Sequence, residues 1–432
     1  MNPLILAQAD GLPGADITVS QVVNALAPML GVLGVSAAVA LILTPVMRRL
    51  ALANGIVDWP DAKRKAHAKP VAYLGGLAIF LGWLAGAAFY IFYANLRSPD
   101  PQAFPLGIII GASAIVLTGL IDDIYGVSAR VKIGGQLFAA AALTQEKVVQ
   151  DLVAASFNLI NITPPDQVAY WVGTAVVACM VVGGCNALNL IDGLDGLSSG
   201  VTAIACLGML LICAVASVRE PTLIPIATIP MVICVATIGA VAGFLPYNFN
   251  PASIFMGDTG SLLLGYLCVA SILFMGRLDN DAGLAPLAFT AAIVCFAVPI
   301  TDTSLAIFRR KLQGKPILAP DAQHIHHMIR RSGYSVKTSV LIMYAMGLIF
   351  AALGVTMVVL WVQWKLAFTA FFLLYGLILL IGYRTSCKQM AQPQAAANRP
   401  IEAPNADPPA EDPPPPSDPP APAGDGAHGS AR

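Results

Sequence analysis

The chain has 432 residues, of which 57% are hydrophobic and only 11% are charged. A water-soluble domain carries roughly 25% charged residues, so this composition excludes a fold whose whole surface faces water. The 24 Lys and Arg residues balance the 24 Asp and Glu residues, and this zero net charge gives no sign of a nucleic-acid partner. The composition predicts a polytopic integral membrane protein.

Eleven apolar stretches approach the length of about 20 residues that a helix needs to cross a membrane. They lie near residues 22–45, 74–95, 105–121, 131–143, 169–187, 197–218, 223–246, 260–276, 284–308, 338–361 and 366–383. The fourth stretch is short, so we expect an all-α bundle of ten or eleven transmembrane helices. Residues 22–383 form this membrane domain, and residues 1–21 form a short extracytoplasmic N-terminus.

Basic residues fix the expected orientation, because cytoplasmic loops are enriched in Lys and Arg. With the N-terminus outside, nineteen Lys and Arg residues fall on the cytoplasmic side and five on the other. The C-terminal end, residues 384–432, is then cytoplasmic. Its part from residue 391 onward holds twelve prolines and many alanines, which predicts a disordered Pro/Ala-rich tail.

Five segments carry polar residues that are unusual beside apolar helices: 64–76, 120–136, 186–196, 246–261 and 302–327. Ionisable residues in membrane segments are costly and usually mark function. All five segments fall on the cytoplasmic side in the orientation above. We therefore predict one cytoplasm-facing cleft assembled from several loops.

Asp122 and Asp123 end the third predicted span. Two adjacent carboxylates repel each other, which favours a shared cation or proton. Arg130 and Lys132 follow closely and can supply positive charge to a bound phosphate. The structural alternative is that the pair simply ends a helix at the membrane interface.

The segment from Asn186 to Gly196 places a polar side chain at every third position, with Asn189, Asp192 and Asp195 following the first. Gly193 and Gly196 favour a break in the helix, which lets these side chains converge. Their oxygens and amide donors suit a hard divalent cation, a uracil edge or a ribose. A helix cap is the alternative, but a cap needs only one such residue.

The Gly257-Asp258-Thr259-Gly260-Ser261 segment precedes a predicted helix. A helix N-terminus is a ready anion site, and the carboxylate can bring the metal that partners the anion. Taken alone, the same residues are also typical of a turn.

A histidine cluster forms the last polar feature, with three of the five histidines of the chain within four residues. Its members are His324, His326 and His327, and its charged neighbours are Lys315, Asp321, Arg330 and Arg331. We interpret the cluster as a phosphate-binding site, because imidazoles and guanidiniums all donate hydrogen bonds. Zinc is less favoured, since no cysteine lies nearby.

These groups together indicate phosphoryl transfer, which needs mainly positioning and charge neutralisation. Oxygen ligands suited to Mg²⁺ and a cationic loop lie beside a membrane. The expected substrates are a cytosolic phosphorylated compound and a lipid-soluble one. A secondary transporter and an intramembrane aspartyl protease are rival hypotheses, but the chain shows no internal repeat and has polar residues that a protease would leave unused.

Four motifs in order resemble the polyprenyl-phosphate N-acetylhexosamine-1-phosphate transferases, glycosyltransferase family 4. They are DDIYGVSARVKIGGQ from Asp122, NALNLIDGLDGLSSG from Asn186, PYNFNPASIFMGDTGS from Pro246 and KPILAPDAQHIHH from Lys315. The HIHH form resembles the WecA/TagO branch, which transfers GlcNAc-1-phosphate. The muramoyl-pentapeptide branch, which usually shows HHH followed by Phe-Glu, is the alternative.

The resemblance implies that a UDP-N-acetylhexosamine and undecaprenyl phosphate react to give a lipid-linked diphospho-sugar and UMP. It implies Mg²⁺ as cofactor, with Mn²⁺ as an alternative ion, and a plasma (inner) membrane location in contact with membrane lipids. The product would enter a cell-envelope polysaccharide such as lipopolysaccharide O-antigen or teichoic acid. Family members often pair, so a homodimer is a further expectation.

The resemblance also implies site residues by motif position. The implied metal ligands are Asn189, Asp192 and Asp258. The implied catalytic residues are Asp122, Asp123, Lys132, Asp195, His324, His326 and His327. The implied substrate-binding residues are Asn186, Asp195, Asn248, Phe255, Lys315 and Asp321.

Within this set, Asp195, Asn248 and Phe255 would bind the uridine, and the histidines would hold the diphosphate or the sugar. Asp122 and Asp123 would orient or deprotonate the lipid phosphate. A phosphate monoester has a second pKa of about 6, so it is already largely a dianion, and we expect the pair to act chiefly in positioning.

Two departures from the family pattern leave the sugar open. The PxPxxGG loop of the family has Ala72 in place of its second proline here, and Tyr73 stands where a basic residue is common. Met328 follows HIHH at another position that is often basic.

Overall fold

The computed structural model describes residues 17–59, 70–97, 104–146, 148, 153, 164–278, 283–314, 316, 324–377, 380 and 384. Most of the expected N-terminal segment and the expected tail lie outside these residues, and both stay predictions. Lys315 and Asp321 of the predicted site also lie outside them.

Helices dominate the described residues, as the hydropathy predicts. They are α1 (Val19–Leu26), α2 (Leu30–Ala53), α3 (Gly75–Arg97), α4 (Leu106–Tyr125), α5 (Ala129–Thr144), α6 (Asp166–Ile191), α7 (Leu197–Arg219), α8 (Ile224–Asn248), α9 (Gly257–Met275), α10 (Leu284–Cys295), α11 (Ala297–Leu312), α12 (Ile325–Arg331), α13 (Val336–Val359) and α14 (Trp364–Leu377). Short 3₁₀ turns at Ala27–Met29 and Pro221–Leu223 lead into α2 and α8. Strand β1 (Val57–Asp58) pairs antiparallel with β2 (Val71–Ala72).

Within the described part of the chain, eight helical stretches are long and apolar enough to cross a membrane, and the bent pair α10–α11 makes a ninth if it is one span. The chain is therefore an all-α multi-pass membrane protein. A helix stands at each predicted span, but the predicted total of ten or eleven crossings is not confirmed. The predicted count is higher because it includes two helices that are short for a membrane crossing: α5, which has only 16 residues, and α14, which is shorter than a full span.

Helix α9 lies at the centre of the bundle, where it packs against α3, α4, α6, α7, α8 and α10. Its residues from Thr259 onward are buried, as expected for a helix that is apolar on every side. Glycines allow the close contacts: a Cβ on Gly119 of α4 would lie 2.5 Å from the Cα of Thr259. Small residues let membrane helices approach closely. This approach places the first turn of α9 against the end of α4.

Helices α10 and α11 meet at a bend of 68°. Pro299 accounts for the break, because in a continuous helix its ring would clash with the carbonyl of Cys295, the last residue of α10. Beyond the bend, α11 contacts the start of α12, where the Ile325 N–H donates to Asp302.

The β1–β2 pair is fixed to the segment that leads into α9. The Phe255 N–H donates to the carbonyl of Ala72 at 2.8 Å, and the Gly75 N–H donates to the carbonyl of Phe255 at 3.0 Å. The loop before α3 and the loop before α9 therefore form one wall.

Candidate active site

Three carboxylates from two helices meet at one end of the bundle. Asp122 and Asp123 lie in the last turn of α4, and Asp258 lies in the first turn of α9. One oxygen from each lies within 4.8 Å of the others. The motifs predicted that Asp258 shares a site with Asp122 and Asp123, more than 130 positions earlier in the chain, and the structure brings them together.

Lys132 of α5 lies between two of these carboxylates. Its Nζ is 2.7 Å from Asp122 Oδ2 and 2.5 Å from Asp258 Oδ2. Three carboxylates and one ammonium give the cluster a net charge of about −2 when all are ionised. A divalent cation would balance that charge, and oxygen-only ligands suit a hard ion.

Both carboxylate oxygens of Asp123 accept hydrogen bonds from the start of α9. Its Oδ1 accepts the N–H of Asp258 at 2.7 Å, and its Oδ2 accepts the N–H of Thr259 at 3.1 Å and the Thr259 hydroxyl at 2.6 Å. A carboxylate at a helix N-terminus is favoured by the unpaired N–H groups and by the helix dipole. Gly257 has φ +67°, and any side chain there would occupy the space of this carboxylate. Asp123 therefore fixes the turn that presents Asp258.

Asn189 and Asp192 lie at the end of α6, beside the acidic cluster. The amide of Asn189 donates to Asp258 Oδ1 at 2.8 Å and to the Ser261 hydroxyl at 3.0 Å. Burial, together with the negative charges of Asp258, Asp123 and Asp195, raises the pKa of Asp192 to about 8. The break after Ile191 that the glycines predict is present, since α6 ends there.

Asp195 and Asn248 tie the loop after α6 to the segment before α9. Asp195 Oδ2 accepts the Asn250 amide at 2.8 Å and the Ala252 N–H at 3.0 Å. Asn248 is 4% exposed, accepts the Gly196 N–H at 3.1 Å, and donates to the Ile254 carbonyl at 3.1 Å. Both residues therefore hold the surrounding loops in place through hydrogen bonds.

A cavity of about 520 Å³ opens beside the acidic cluster. This volume is typical of a small-molecule site. The predicted site residues that line it are Asn189, Asp192, Asp195, Asn248, Phe255, Asp258 and His327. Each of the five polar segments contributes either to this lining or to the acidic cluster, in agreement with the prediction of one assembled site.

Asp58, Tyr73 and Arg330 also line the cavity. Arg330 neighbours the histidine cluster that we predicted to bind phosphate, and Tyr73 stands in the loop that departs from the family pattern, whereas no sequence feature indicated Asp58. The rings of Tyr73 and Phe255 are 6.1 Å apart between centroids, at 56°. Burial and the neighbouring Asp58 raise the pKa of Tyr73, so its phenol stays protonated. The pairing of β1 with β2 brings Asp58 and Tyr73 together, and these strands are too short to leave a periodic pattern in the sequence.

The three histidines have different surroundings. His327 lines the cavity, whereas His326 is 1% exposed and packs against Gly193, whose added Cβ would lie 2.5 Å from Nε2 of His326. Burial, followed by the nearby His327, lowers the pKa of His326 to about 3, so this ring is neutral at pH 7. Among the described residues, neither ring nitrogen of His326 has a hydrogen-bond partner.

Asn186 faces α5 instead of the cavity. Its amide donates to Gln136 Oε1 at 2.9 Å and to the Val182 carbonyl at 2.7 Å. It links α6 to α5, the helix that carries Lys132, and it does not line the cavity. Its predicted contact with substrate stays a prediction.

Sequence comparisons relate the chain to one family of known proteins. The sequence model of glycosyl transferase family 4 matches residues 105–276, which contain three of the four motifs. A Bacillus subtilis protein named "Probable undecaprenyl-phosphate N-acetylglucosaminyl 1-phosphate transferase" is 38% identical over 317 residues, 73% of this chain and 81% of the relative.

Two further relatives are named for a different acceptor or a different donor from that of the Bacillus subtilis relative. The "Decaprenyl-phosphate N-acetylglucosaminephosphotransferase" of Mycobacterium tuberculosis is 33% identical over 70% of this chain and 75% of the relative. The "Phospho-N-acetylmuramoyl-pentapeptide-transferase" of Bacillus mycoides is 29% identical over 74% of this chain and 94% of the relative. With its motifs, its acidic cluster and its closely similar relatives, the chain belongs to glycosyl transferase family 4, the polyprenyl-phosphate N-acetylhexosamine-1-phosphate transferases.

Proposed function

We propose that the protein transfers GlcNAc-1-phosphate from UDP-GlcNAc to undecaprenyl phosphate, giving a lipid-linked diphospho-sugar and UMP. The cavity carries this proposal, because Asp258 of the acidic cluster lines it together with Asp195, Phe255 and His327. A nucleotide needs a polar and aromatic pocket, and a diphosphate needs charge neutralisation. Two relatives support the choice of sugar, because both names specify transfer of N-acetylglucosamine phosphate to a prenyl phosphate.

The donor set fits a magnesium ion. Mg²⁺ is usually held by one or two carboxylates together with substrate phosphates, and Asp258 lies in the cavity wall with Asp122 close behind it. When bound, the ion would neutralise charge on the diphosphate. The residues proposed to hold it are Asp258, Asp122 and, through its carboxylate, Asp192. Mn²⁺ is the alternative ion.

The transfer itself forms one bond and breaks one. An oxygen of the lipid phosphate bonds to the β-phosphorus of the UDP-sugar, and the bond from that phosphorus to the bridging oxygen breaks, so UMP leaves with the electron pair. The nucleophile is largely a dianion at neutral pH and needs no strong base. In this reaction Lys132, His327 and Arg330 would stabilise the charge that is redistributed among the phosphate oxygens; Lys132 contacts Asp258, and the other two line the cavity.

The remaining contacts position these groups. Asp123 holds the turn that carries Asp258, and Asn189 orients the Asp258 carboxylate. Asp195 and Asn248 fix the wall on which the uridine would rest. Preorganised groups cost no rearrangement during the reaction, which is how such contacts raise a rate.

We infer that the site lies on the cytoplasmic side of the plasma (inner) membrane. The excess of Lys and Arg on that side supports this orientation, and UDP-sugars are cytosolic compounds. The acceptor is proposed as undecaprenyl phosphate, as in the name of the Bacillus subtilis relative. The product would then enter synthesis of a cell-envelope polysaccharide.

The test is to incubate membranes containing the protein with undecaprenyl phosphate, Mg²⁺ and one UDP-sugar at a time. UDP-GlcNAc, UDP-GalNAc and UDP-MurNAc-pentapeptide form the panel, and UMP and the lipid product are measured together. Asp258→Asn is the matched control, since it keeps the size of the side chain. We expect UMP release with UDP-GlcNAc and none from the control. Turnover of the pentapeptide donor alone would favour the muramoyl branch, and no turnover with any donor would refute the proposal.

A further inference from the structure

Asp302 is a fully buried carboxylate that the proposed reaction does not use. It lies in α11, its exposed fraction is 0%, and it does not line the cavity. A buried ionised carboxylate is strongly unfavourable unless it is paired and hydrogen-bonded. Because Asp302 is buried, it needs hydrogen-bond partners that offset this cost.

Both oxygens of Asp302 contact the histidine segment. Oδ2 lies 2.7 Å from Nδ1 of His324, and Oδ1 accepts the N–H of Ile325 at 2.7 Å. Ile325 is the first residue of α12, so Asp302 caps this helix from outside it. An ionised carboxylate only accepts hydrogen bonds, so the pairing with an ionised Asp302 requires a proton on Nδ1 of His324.

The three histidine rings connect this pair to the cavity. The rings of His324 and His326 are stacked, 5.7 Å apart between centroids at 7°, and those of His326 and His327 are 4.2 Å apart. His326 packs on Gly193, in the loop that carries Asp192 and Asp195, and His327 lines the cavity. A displacement of His324 would therefore be transmitted through packed rings to the cavity wall.

We propose that Asp302 is a positioning residue of the transferase, which acts through His324 and the start of α12 to hold His327 in the cavity. This inference rests on the proposed function. Asp302 itself touches neither the cavity nor the acidic cluster, so it is not a catalytic residue. Its role resembles that of outer carboxylates that orient a histidine by its second nitrogen.

An asparagine at this position cannot replace both contacts. Its single oxygen can accept from His324 or from the Ile325 N–H, while its NH₂ group would face the other donor. The His324 ring would then move, or it would shift its proton to Nε2. Either change displaces the rings that lead to His327, and a small misplacement of reacting groups costs about 10- to 100-fold in rate.

The experiment compares Asp302→Asn with Thr303→Val in the full-length protein. Thr303 is the next residue of α11, and among the described residues its hydroxyl has no hydrogen-bond partner, so Thr303→Val is a matched control of similar shape. Three quantities are measured: the kcat and donor KM of UMP release, the thermal unfolding midpoint, and the ¹⁵N shifts of labelled histidines. Only five histidines occur in the chain, so single His→Gln variants assign the signals.

We expect Asp302→Asn to lower kcat about 10- to 100-fold, to change the donor KM much less, and to remove the Nδ1–H signature of His324. Thr303→Val should match the wild type in all three. Wild-type kcat in Asp302→Asn, or a wild-type His324 signal that lacks the Nδ1 proton, would overturn the inference. The histidine signals are recorded without turnover, so an inactive wild type would refute the proposed function and not the pairing.

If Asp302→Asn does not fold, His324→Asn and His324→Leu give the same test. Only the asparagine keeps an N–H donor near the position of Nδ1. Higher thermal stability and higher kcat in His324→Asn than in His324→Leu support the inference, and equal values in the two variants overturn it.

Discussion

Replacing Asp123 by asparagine should loosen the start of α9. The carboxylate accepts three hydrogen bonds there, from the N–H groups of Asp258 and Thr259 and from the Thr259 hydroxyl. Asparagine keeps one oxygen and places an NH₂ group against donors, so at least one backbone N–H is left without an acceptor. The charge that complements the helix dipole is lost as well.

The expected cost follows from these contacts. A hydrogen bond to a charged group contributes about 1.5–3 kcal/mol, and removal of an N-terminal helix cap costs about 0.5–2 kcal/mol. These figures are not added, because they describe the same bonds, so we expect the free energy of unfolding to fall by about 1.5–3 kcal/mol. Transferase activity should fall too, since Asp258 loses its fixed position.

The assay combines thermal unfolding in detergent, followed by tryptophan fluorescence, with UMP release. Thr259→Val removes only the hydroxyl bond of 2.6 Å and should cost less stability than Asp123→Asn. Asp122→Asn is the second control, since Asp122 pairs with Lys132 and does not contact the N–H groups of Asp258 or Thr259. An Asp123→Asn variant that unfolds with the wild type yet lacks activity would show that Asp123 acts on substrate and would refute the capping role.

Three further predictions concern Lys132, His326 and Gly193. Lys132→Met removes the ammonium that competes for two carboxylates, so Mn²⁺ titrated by electron paramagnetic resonance should bind more tightly while UMP release falls; weaker Mn²⁺ binding would contradict this. Because the pKa of His326 is about 3 in the fold against 6.5 when unfolded, only the unfolded chain gains its proton as pH drops below 6.5. The wild type should thus lose about 1.4 kcal/mol relative to His326→Gln one pH unit below that value, and parallel pH profiles of thermal unfolding would argue against it. Gly193→Ala places a Cβ 2.5 Å from the His326 ring and should lower the free energy of unfolding by about 1–3 kcal/mol. Adding His326→Ala should relieve this loss, and additive effects in the double variant would contradict the contact.

The sequence could predict the membrane fold and the meeting of the acidic residues for physical reasons. Apolar stretches of fixed length are required by the bilayer, and costly polar residues gather at one rim. Helices stand where the stretches were placed, and Asp122, Asp123 and Asp258 come together as expected. The number of crossings was less predictable, because α5 and α14 are too short for length alone to decide.

The individual roles within the site could not be predicted from spacing. Asp123 accepts hydrogen bonds from the backbone of residues far along the chain, and Asn248 joins two loops by hydrogen bonds. A local sequence pattern does not reveal such partners. Asp302 lay within a polar segment, but its pairing with His324 depends on the bend before α11. Tyr73 enters the cavity through a strand pair too short to leave a periodic signal.

The most direct test of the site as a whole is to measure the magnetic (hyperfine) coupling between a bound metal ion and the phosphorus atoms of UDP-GlcNAc. Mn²⁺ and UDP-GlcNAc are added to the protein, and electron–nuclear double resonance records the ³¹P coupling to the ion. We expect a coupling typical of direct phosphate coordination in the wild type and its loss in Asp258→Asn. An unchanged coupling in Asp258→Asn would show that Asp258 does not hold the metal against the diphosphate.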